Sequence, residues 1–232
     1  MKNFFKKFKL LNWIYKIQKI YKNSFPNKHF AQFGEDIFIN IIFNDIKKGC
    51  YIDIGAYHPY KGSLTYNLYK KGWNGINIDL SKTSIDLFKI ARPSDINLNC
   101  AISSQTGETF YYENSPINQQ NSLIKQNDNQ KKININSYTL NDVVNDYNVN
   151  EVDYINIDTE GNETEILRSV NFEKIRPILI TVEDNSFIVN SSQKVEKIRF
   201  MQTNNYELIN IIGVTLFFIR KDYLENLKKI HA

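Results

Sequence analysis

The sequence is short of the residues that build specialised scaffolds. Only two cysteines occur in 232 residues, Cys50 and Cys100. Two cannot form a disulfide framework, and neither has the His and Cys neighbours of a zinc site. Each lies in or beside an apolar run and reads as a small buried thiol of a reducing compartment. Nine glycines and five prolines exclude collagen-like and Pro/Gly-disordered chains. No stretch nears the ~18 apolar residues needed to cross a bilayer, and no internal repeat is visible. Acids are missing from the first 34 residues, which carry eight lysines: Lys2, Lys6, Lys7, Lys9, Lys16, Lys19, Lys22 and Lys28. Taking those eight from the net charge of +4 leaves the remaining 198 residues at −4. The body of the protein is therefore mildly acidic, and a nucleic-acid partner, which needs a basic face on the fold itself, is not expected.

What remains is a chain 42% hydrophobic and 13% aromatic, enough for one domain with a substantial core. We divide it into a basic leader, 1–28, and a main domain, 29–232. In the leader, Phe4, Phe8, Leu11, Ile14 and Ile17 fall at helical spacing with lysines between them. Asn12, Lys16, Gln18 and Lys19 interrupt every candidate signal-peptide core, so secretion is rejected. Two readings stay open. One is a basic amphipathic helix on an anionic membrane surface, Trp13 inserted. The other, preferred, is a helix packed on its own domain or on a second subunit, which would make a homo-oligomer. The protein is expected in the cytoplasm, peripheral at the inner membrane face if the first reading holds.

From residue 34 the pattern alternates. Helices are expected over 34–46, 63–73 (closing at Gly72), 82–92, 140–147 (capped by Thr139 with Asp142), 162–170 and 195–205. Strands are expected over 50–55, 75–80, 96–102, 108–113, 152–158 and 177–184, with a terminal hairpin 206–212 and 214–220 about Gly213. The Asn- and Gln-rich stretch 114–137 reads as a long polar loop. Unbroken apolar strands alternating with helices indicate a mostly parallel α/β sheet, Rossmann-like, covered on both faces.

Ligands of open α/β sheets bind beyond the carboxyl ends of the strands. Acids stand there on four of five strands: Asp53, Asp79, Asp158 and the pair Glu183/Asp184. Gly55 and Ala56 allow close backbone approach, but the G-x-G-x-x-G of dinucleotide folds is incomplete and Asp53 would repel a pyrophosphate. This counts against an NAD(P)-dependent oxidoreductase. Asp79, at the end of the second strand, suits two ribose hydroxyls. A cationic adenosine compound without phosphates fits best, and S-adenosylmethionine is one.

The segments AQFGED (31–36), YIDIGAYHPYKGSLTYNLYKKGWNGINIDL (51–80), DINLNCAIS (95–103) and DYINIDTEGNETEILRSVNF (153–172) resemble the FkbM family of S-adenosylmethionine-dependent methyltransferases. The likeness runs from about Phe30 to about Val182. It departs at His58-Pro59, where many relatives continue with Gly, and the leader lies outside the family pattern. The resemblance implies a seven-stranded methyltransferase sheet with an antiparallel C-terminal hairpin. It implies O-methylation of a saccharide or nucleotide-sugar hydroxyl, as in surface-glycan pathways. Gly55 and Ala56 would offer backbone N–H groups to the methionine part, with Asp53 orienting that loop or the ammonium. Tyr57, Ser63 and Leu80 would stand beside them, and Cys100 and Ala101 would line the adenine. Gln32 and Glu35 are cofactor contacts by resemblance alone; Glu35 could equally be an acid at a helix start. Asp158, Glu183 and Asp184 resemble the acids of magnesium-dependent O-methyltransferases and could hold Mg²⁺ or Mn²⁺. Without a metal, His58 or Glu160 becomes the general base beside Asp158. A non-catalytic membrane-binding module is the remaining alternative.

Overall fold

The computed structural model describes residues 9–21, 29–186 and 191–230. Phe4, Phe8 and the lysines at 2, 6, 7, 22 and 28 lie outside them. The strands are β1 (Cys50–Ile54), β2 (Asn74–Asp79), β3 (Ile96–Asn99), β4 (Ala101–Ile102), β5 (Gly107–Glu113), β6 (Lys131–Tyr138), β7 (Tyr154–Ile157), β8 (Leu179–Glu183), β9 (Tyr206–Ile212) and β10 (Thr215–Arg220). The helices are α1 (Lys9–Tyr21), α2 (Glu35–Ile42), α3 (Tyr66–Lys70), α4 (Lys82–Ala91), α5 (Leu140–Asp146), α6 (Glu163–Ser169), α7 (Ser192–Thr203) and α8 (Lys221–Ile230).

Seven strands form the main sheet in the order β3-β2-β1-β7-β8-β10-β9. The first five run parallel, and β10 is antiparallel to both its neighbours. The order reverses direction between β1 and β7, the switch point at which such sheets open a crevice. This is the seven-stranded Rossmann-like sheet with an antiparallel C-terminal hairpin that the resemblance implied. A smaller sheet, β4-β6-β5, stands beside it.

Side chains alternate across the main sheet. Ile52, Ile54, Ile76, Ile78, Ile155, Ile157, Ile180 and Val182 pack on Leu140, Ile166, Leu167 and Met201, from helices α5, α6 and α7. On the opposite face Tyr51, Tyr154, Leu179 and Phe217 meet Ile39 of α2, Phe43 at its C-terminal end, Leu68 of α3 and Trp73. Full burial of such a side chain is worth roughly 1.5–3 kcal/mol, so the sheet holds its position by two-sided burial.

One level of that second face is polar. Asn97, Asn77, Asp53, Asn156 and Thr181 sit in register on five adjacent strands. Asn77 donates to Asn97 (2.9 Å), Asn156 to Asp53 (2.9 Å) and Thr181 to Asn156 (2.8 Å). The strands expected to be unbroken apolar runs thus carry one polar row, which passes beneath the crevice at Asp53 and Asn156.

Several expectations change in detail. The strand expected at 96–102 is two: β3 ends in the main sheet and β4 begins the small one, with Cys100 between them. The stretch 131–138 is strand β6, paired antiparallel with β5, not loop. Helix α3 is a short piece of the expected 63–73, though Gly72 does close it at φ +92°. Thr139 caps α5 by accepting from the Asp142 N–H at 3.0 Å. The leader helix α1 lies on the domain: Lys16 pairs with Asp86 of α4 at 2.6 Å.

Candidate active site

The carboxyl ends of β1, β2 and β7 and the loops beyond them enclose a cleft of about 780 Å³, counting its open mouth. Gly55 makes it possible. Its φ is +82°, and a Cβ there would lie 1.5 Å from the carbonyl oxygen of Asp158, so no other residue lets β1 turn against β7. Of the twelve residues assigned to the cofactor from sequence, ten line this cleft: Asp53, Gly55, Ala56, Tyr57, Ser63, Asp79, Leu80, Cys100, Ala101 and Asp158. Three are acids, and none of the lining residues is Lys, Arg or His.

Asp79 closes one wall. Its carboxylate accepts from the Tyr57 N–H (2.8 Å) and the Ser81 N–H (2.7 Å). Burial pushes its pKa up to about 6, against the pull of those two donors. Tyr57, on the same turn, is held at φ +56°, a conformation non-glycine residues seldom adopt. Cys100 is buried and its thiol pushed up to about 12, so it stays neutral and serves as wall.

One expected role is corrected. The N–H groups of Gly55 and Ala56 both donate to the Ile78 carbonyl, at 2.9 and 3.1 Å, because the β1–β2 pairing runs on past the strand end. They do not face a ligand. Among the described residues, the Ser63 and Leu64 N–H groups have no hydrogen-bond partner, and both residues line the cleft.

Beneath the cleft floor lies a charged network the sequence reading missed. Arg92 is fully buried. It donates to Ser63 Oγ (2.7 Å), Thr65 Oγ1 (2.8 Å) and, through two nitrogens, to the Pro59 carbonyl. Thr65 in turn donates to Asp53 at 2.7 Å. Desolvation raises the Asp53 pKa, while Asn156, Thr65 and the Arg92 charge oppose that rise. The guanidinium thereby ties loop 59–65 to the acid at the end of β1. In the sequence Arg92 stands at a helix end before proline, where a charged residue ordinarily meets water.

The polar stretch after β5 covers the mouth. Asn118, Gln119, Asn121 and Leu123 line the cleft. The segment is held by Asn121, which accepts from the Asn114 N–H and donates to the Ser115 carbonyl, both at 3.0 Å. Ser122 donates to the Glu160 carbonyl at 3.0 Å, joining this cover to the loop after β7.

A second recess adjoins the cleft, sharing Gly62, Leu64, Gln119, Asn156 and Asp158 with it. Gln32 and Glu35 line this recess rather than the cleft, together with Glu183, Val214 and Thr215. Glu35 is buried, accepts from the Phe33 N–H at 2.7 Å and opens helix α2. At the junction, carboxylate oxygens of Asp158, Glu160 and Glu183 lie within 4.8 Å of one another. All three are pushed upward. Burial acts first on each; neighbouring acids add to it on Asp158 and Glu160, while on Glu183 the hydrogen bond to Asp158 opposes it. Asp158 stands well above the usual range and Glu160 at about 7. Glu160 holds φ +57°. It is set by Glu163, which accepts from Thr159 N–H and Oγ1 and from Gly161 N–H at 2.9–3.0 Å.

Two further assignments are corrected. The third acid of the cluster is Glu160, not Asp184. Asp184 is paired with the buried Lys197 (3.2 Å) and Lys194 (3.9 Å) of α7. Burial pulls its pKa up, but Ser186 and Lys197 outweigh that and hold it below the usual range. His58 is not a base for the site. It lines neither the cleft nor the recess. Its Nδ1 accepts from the Tyr60 and Lys61 N–H groups at 3.1 Å, and its Nε2 faces the Lys19 carbonyl of α1 at 3.3 Å. Burial lowers its pKa to about 4. The ring is a neutral bracket between loop and leader helix.

Residues 53–208, well over half of the chain, match the family model described as the methyltransferase FkbM domain. The chain belongs to the FkbM methyltransferase family. No protein of curated function matches it significantly. Among the solved structures similar to it at low identity are three methyltransferases. They are a TehB-like SAM-dependent methyltransferase from Corynebacterium glutamicum (12% identity, 90% of this chain and 97% of that one, TM-score 0.46), and a SAM-dependent methyltransferase from Geobacter sulfurreducens in complex with S-adenosyl-L-homocysteine (8%, 84% and 72%, 0.45). The third is the Burkholderia thailandensis 1,6-didemethyltoxoflavin-N1-methyltransferase (10%, 91% and 90%, 0.40). The FkbM match begins at Asp53, and so includes the cleft turn, Asp79 and the Asp158–Glu163 loop.

Proposed function

We propose that this FkbM domain transfers the methyl group of S-adenosylmethionine to an oxygen of a saccharide or nucleotide sugar. One observation carries the cofactor: the cleft is lined by Asp53, Asp79 and Asp158 and by no basic side chain. A pyrophosphate meets no basic side chain in that lining and faces the Asp79 carboxylate, whereas a phosphate-free cationic nucleoside meets opposite charge. In this reading Asp79 accepts from the two ribose hydroxyls. The Ser63 and Leu64 N–H groups receive the methionine carboxylate, and Leu80, Cys100 and Ala101 flank the adenine. The sulfonium supplies an activated methyl group, which leaves the protein to align the acceptor and take its proton.

The recess holds the acceptor, with Gln32, Glu35 and Gln119 available to its hydroxyls. The acceptor oxygen forms its bond to the methyl carbon as the carbon–sulfur bond breaks. Its proton passes to the Asp158–Glu183 pair, whose raised affinity for protons suits a base at neutral pH. Glu160 sits close enough to reinforce that affinity. Incubation with labelled S-adenosylmethionine and a panel of nucleotide sugars tests the assignment. Label in a sugar hydroxyl is the expected result; label only in an amine, or in no sugar, contradicts it.

A second reading rests on the same three carboxylates. Asp158, Glu160 and Glu183 fit a hard divalent ion such as Mg²⁺ or Mn²⁺, whose charge would relieve their mutual repulsion and acidify a bound hydroxyl. Chelator-treated protein that keeps full turnover supports the proton-accepting pair. Turnover lost on chelation and restored by Mg²⁺ or Mn²⁺ supports the metal.

A further inference from the structure

We propose that α1 docks the protein on an anionic lipid bilayer through Trp13, Ile14 and Tyr15. One side of this helix is already used. Lys16 reaches Asp86 of α4, Ile17 is half-buried, and the Lys19 carbonyl faces His58. The rest of its circumference presents Trp13, Ile14 and Tyr15 at 52%, 40% and 38% exposure, with exposed Gln18 between the last two. Three large apolar side chains left partly in water around one short helix mark an interaction surface.

The occupant follows from charge. The first 34 residues hold eight lysines and no acid, and each lysine near an anionic leaflet adds to its attraction. A second copy would bring the same positive leader to the same place and be repelled. A nucleic acid would meet a domain whose other 198 residues sum to −4. Indole and aliphatic side chains on a lysine-rich, acid-free segment are the composition of helices that lie in a lipid interface. Among the described residues no helix is long and apolar enough to cross a membrane, so this contact is made from one side.

Vesicle flotation of the full chain tests it, with phosphatidylcholine vesicles against vesicles in which one quarter of the lipid is phosphatidylglycerol. The chain floats with the anionic vesicles only, and 0.5 M NaCl weakens binding because the screening length falls to about 4 Å. Replacing Trp13, Ile14 and Tyr15 together by serine lowers partitioning by at least about tenfold and leaves the thermal shift with S-adenosylhomocysteine intact. Trp73 is 1% exposed, so a blue shift of tryptophan emission on anionic vesicles reports Trp13 and disappears in Trp13→Phe. Three results overturn the proposal. They are equal behaviour toward both vesicle types, unchanged flotation of the triple-serine variant, and a wild-type chain that stays off vesicles but forms a dimer or binds RNA through this face.

Discussion

Asp79→Asn isolates the charge on which cofactor binding rests in this account. The substitution keeps the shape of the side chain and one carbonyl oxygen for the Tyr57 or Ser81 N–H. It removes the negative charge that two ribose hydroxyls would share. Hydrogen bonds to a charged group are worth roughly 1.5–3 kcal/mol each, and a neutral amide retains part of that. The dissociation constant of S-adenosylhomocysteine should therefore rise about 10- to 100-fold, read by isothermal titration calorimetry. The pH dependence gives an independent check. With Asp79 pushed up to about 6, the carboxyl is protonated below that pH and charged above it. If only the charged form binds, affinity is about tenfold weaker at pH 5 than at pH 7. The Asn variant should show no such slope. For the empty fold the sign is opposite. A carboxyl raised above its unfolded value of 3.8 favours folding most below that pH, and the benefit is lost as pH rises through about 6. An unchanged dissociation constant with a flat wild-type profile would refute the ribose role, provided the variant melts at the wild-type temperature at pH 7.

Other positions give sharp outcomes. Gly55→Ala forces a Cβ onto the Asp158 carbonyl at a positive φ, so melting temperature and cofactor affinity should fall together in thermal-shift assays. Arg92→Met strands the hydrogen-bonded groups of loop 59–65 and leaves Asp53 without its buried counter-charge, a loss of about 3–5 kcal/mol in denaturant unfolding; Arg92→Lys should recover little of it. His58→Asn keeps an acceptor for the Tyr60 and Lys61 N–H groups, so kcat should stay within about twofold of wild type, whereas loss of a general base would cost about 10²–10⁴. Glu160→Gln removes a charge that raises Asp158, so the acid limb of the kcat profile should move to lower pH.

How far the sequence announced this structure depended on where the signal lay. Strands buried on both faces declared themselves by apolar content, and the acids at their ends by position. Strand β6 did not. Its Ile133 and Ile135 alternate with Asn and Lys on a small sheet beside the core, where little apolar surface is buried, and the pattern merges with the polar loop before it. The row Asn77–Asp53–Asn156–Thr181 was hidden because register across strands far apart in sequence is invisible in any one of them. Arg92 and the two lysines clamped on Asp184 carry no local sign of burial; charge in sequence implies solvent until the fold supplies partners. The Glu160 cluster was half legible. Asp158 and Glu183 end adjacent strands, but Glu160 joins them only because Glu163 curls the intervening loop into a left-handed turn.

The most direct measurement is a calorimetric titration of the same protein sample with S-adenosylmethionine, S-adenosylhomocysteine, NADH and ADP. A cleft lined by carboxylates and free of basic groups should take up both adenosyl sulfur compounds with micromolar affinity and give no heat with either phosphate-bearing nucleotide. Saturable binding of NADH or ADP, with none of S-adenosylmethionine, contradicts the account at its root.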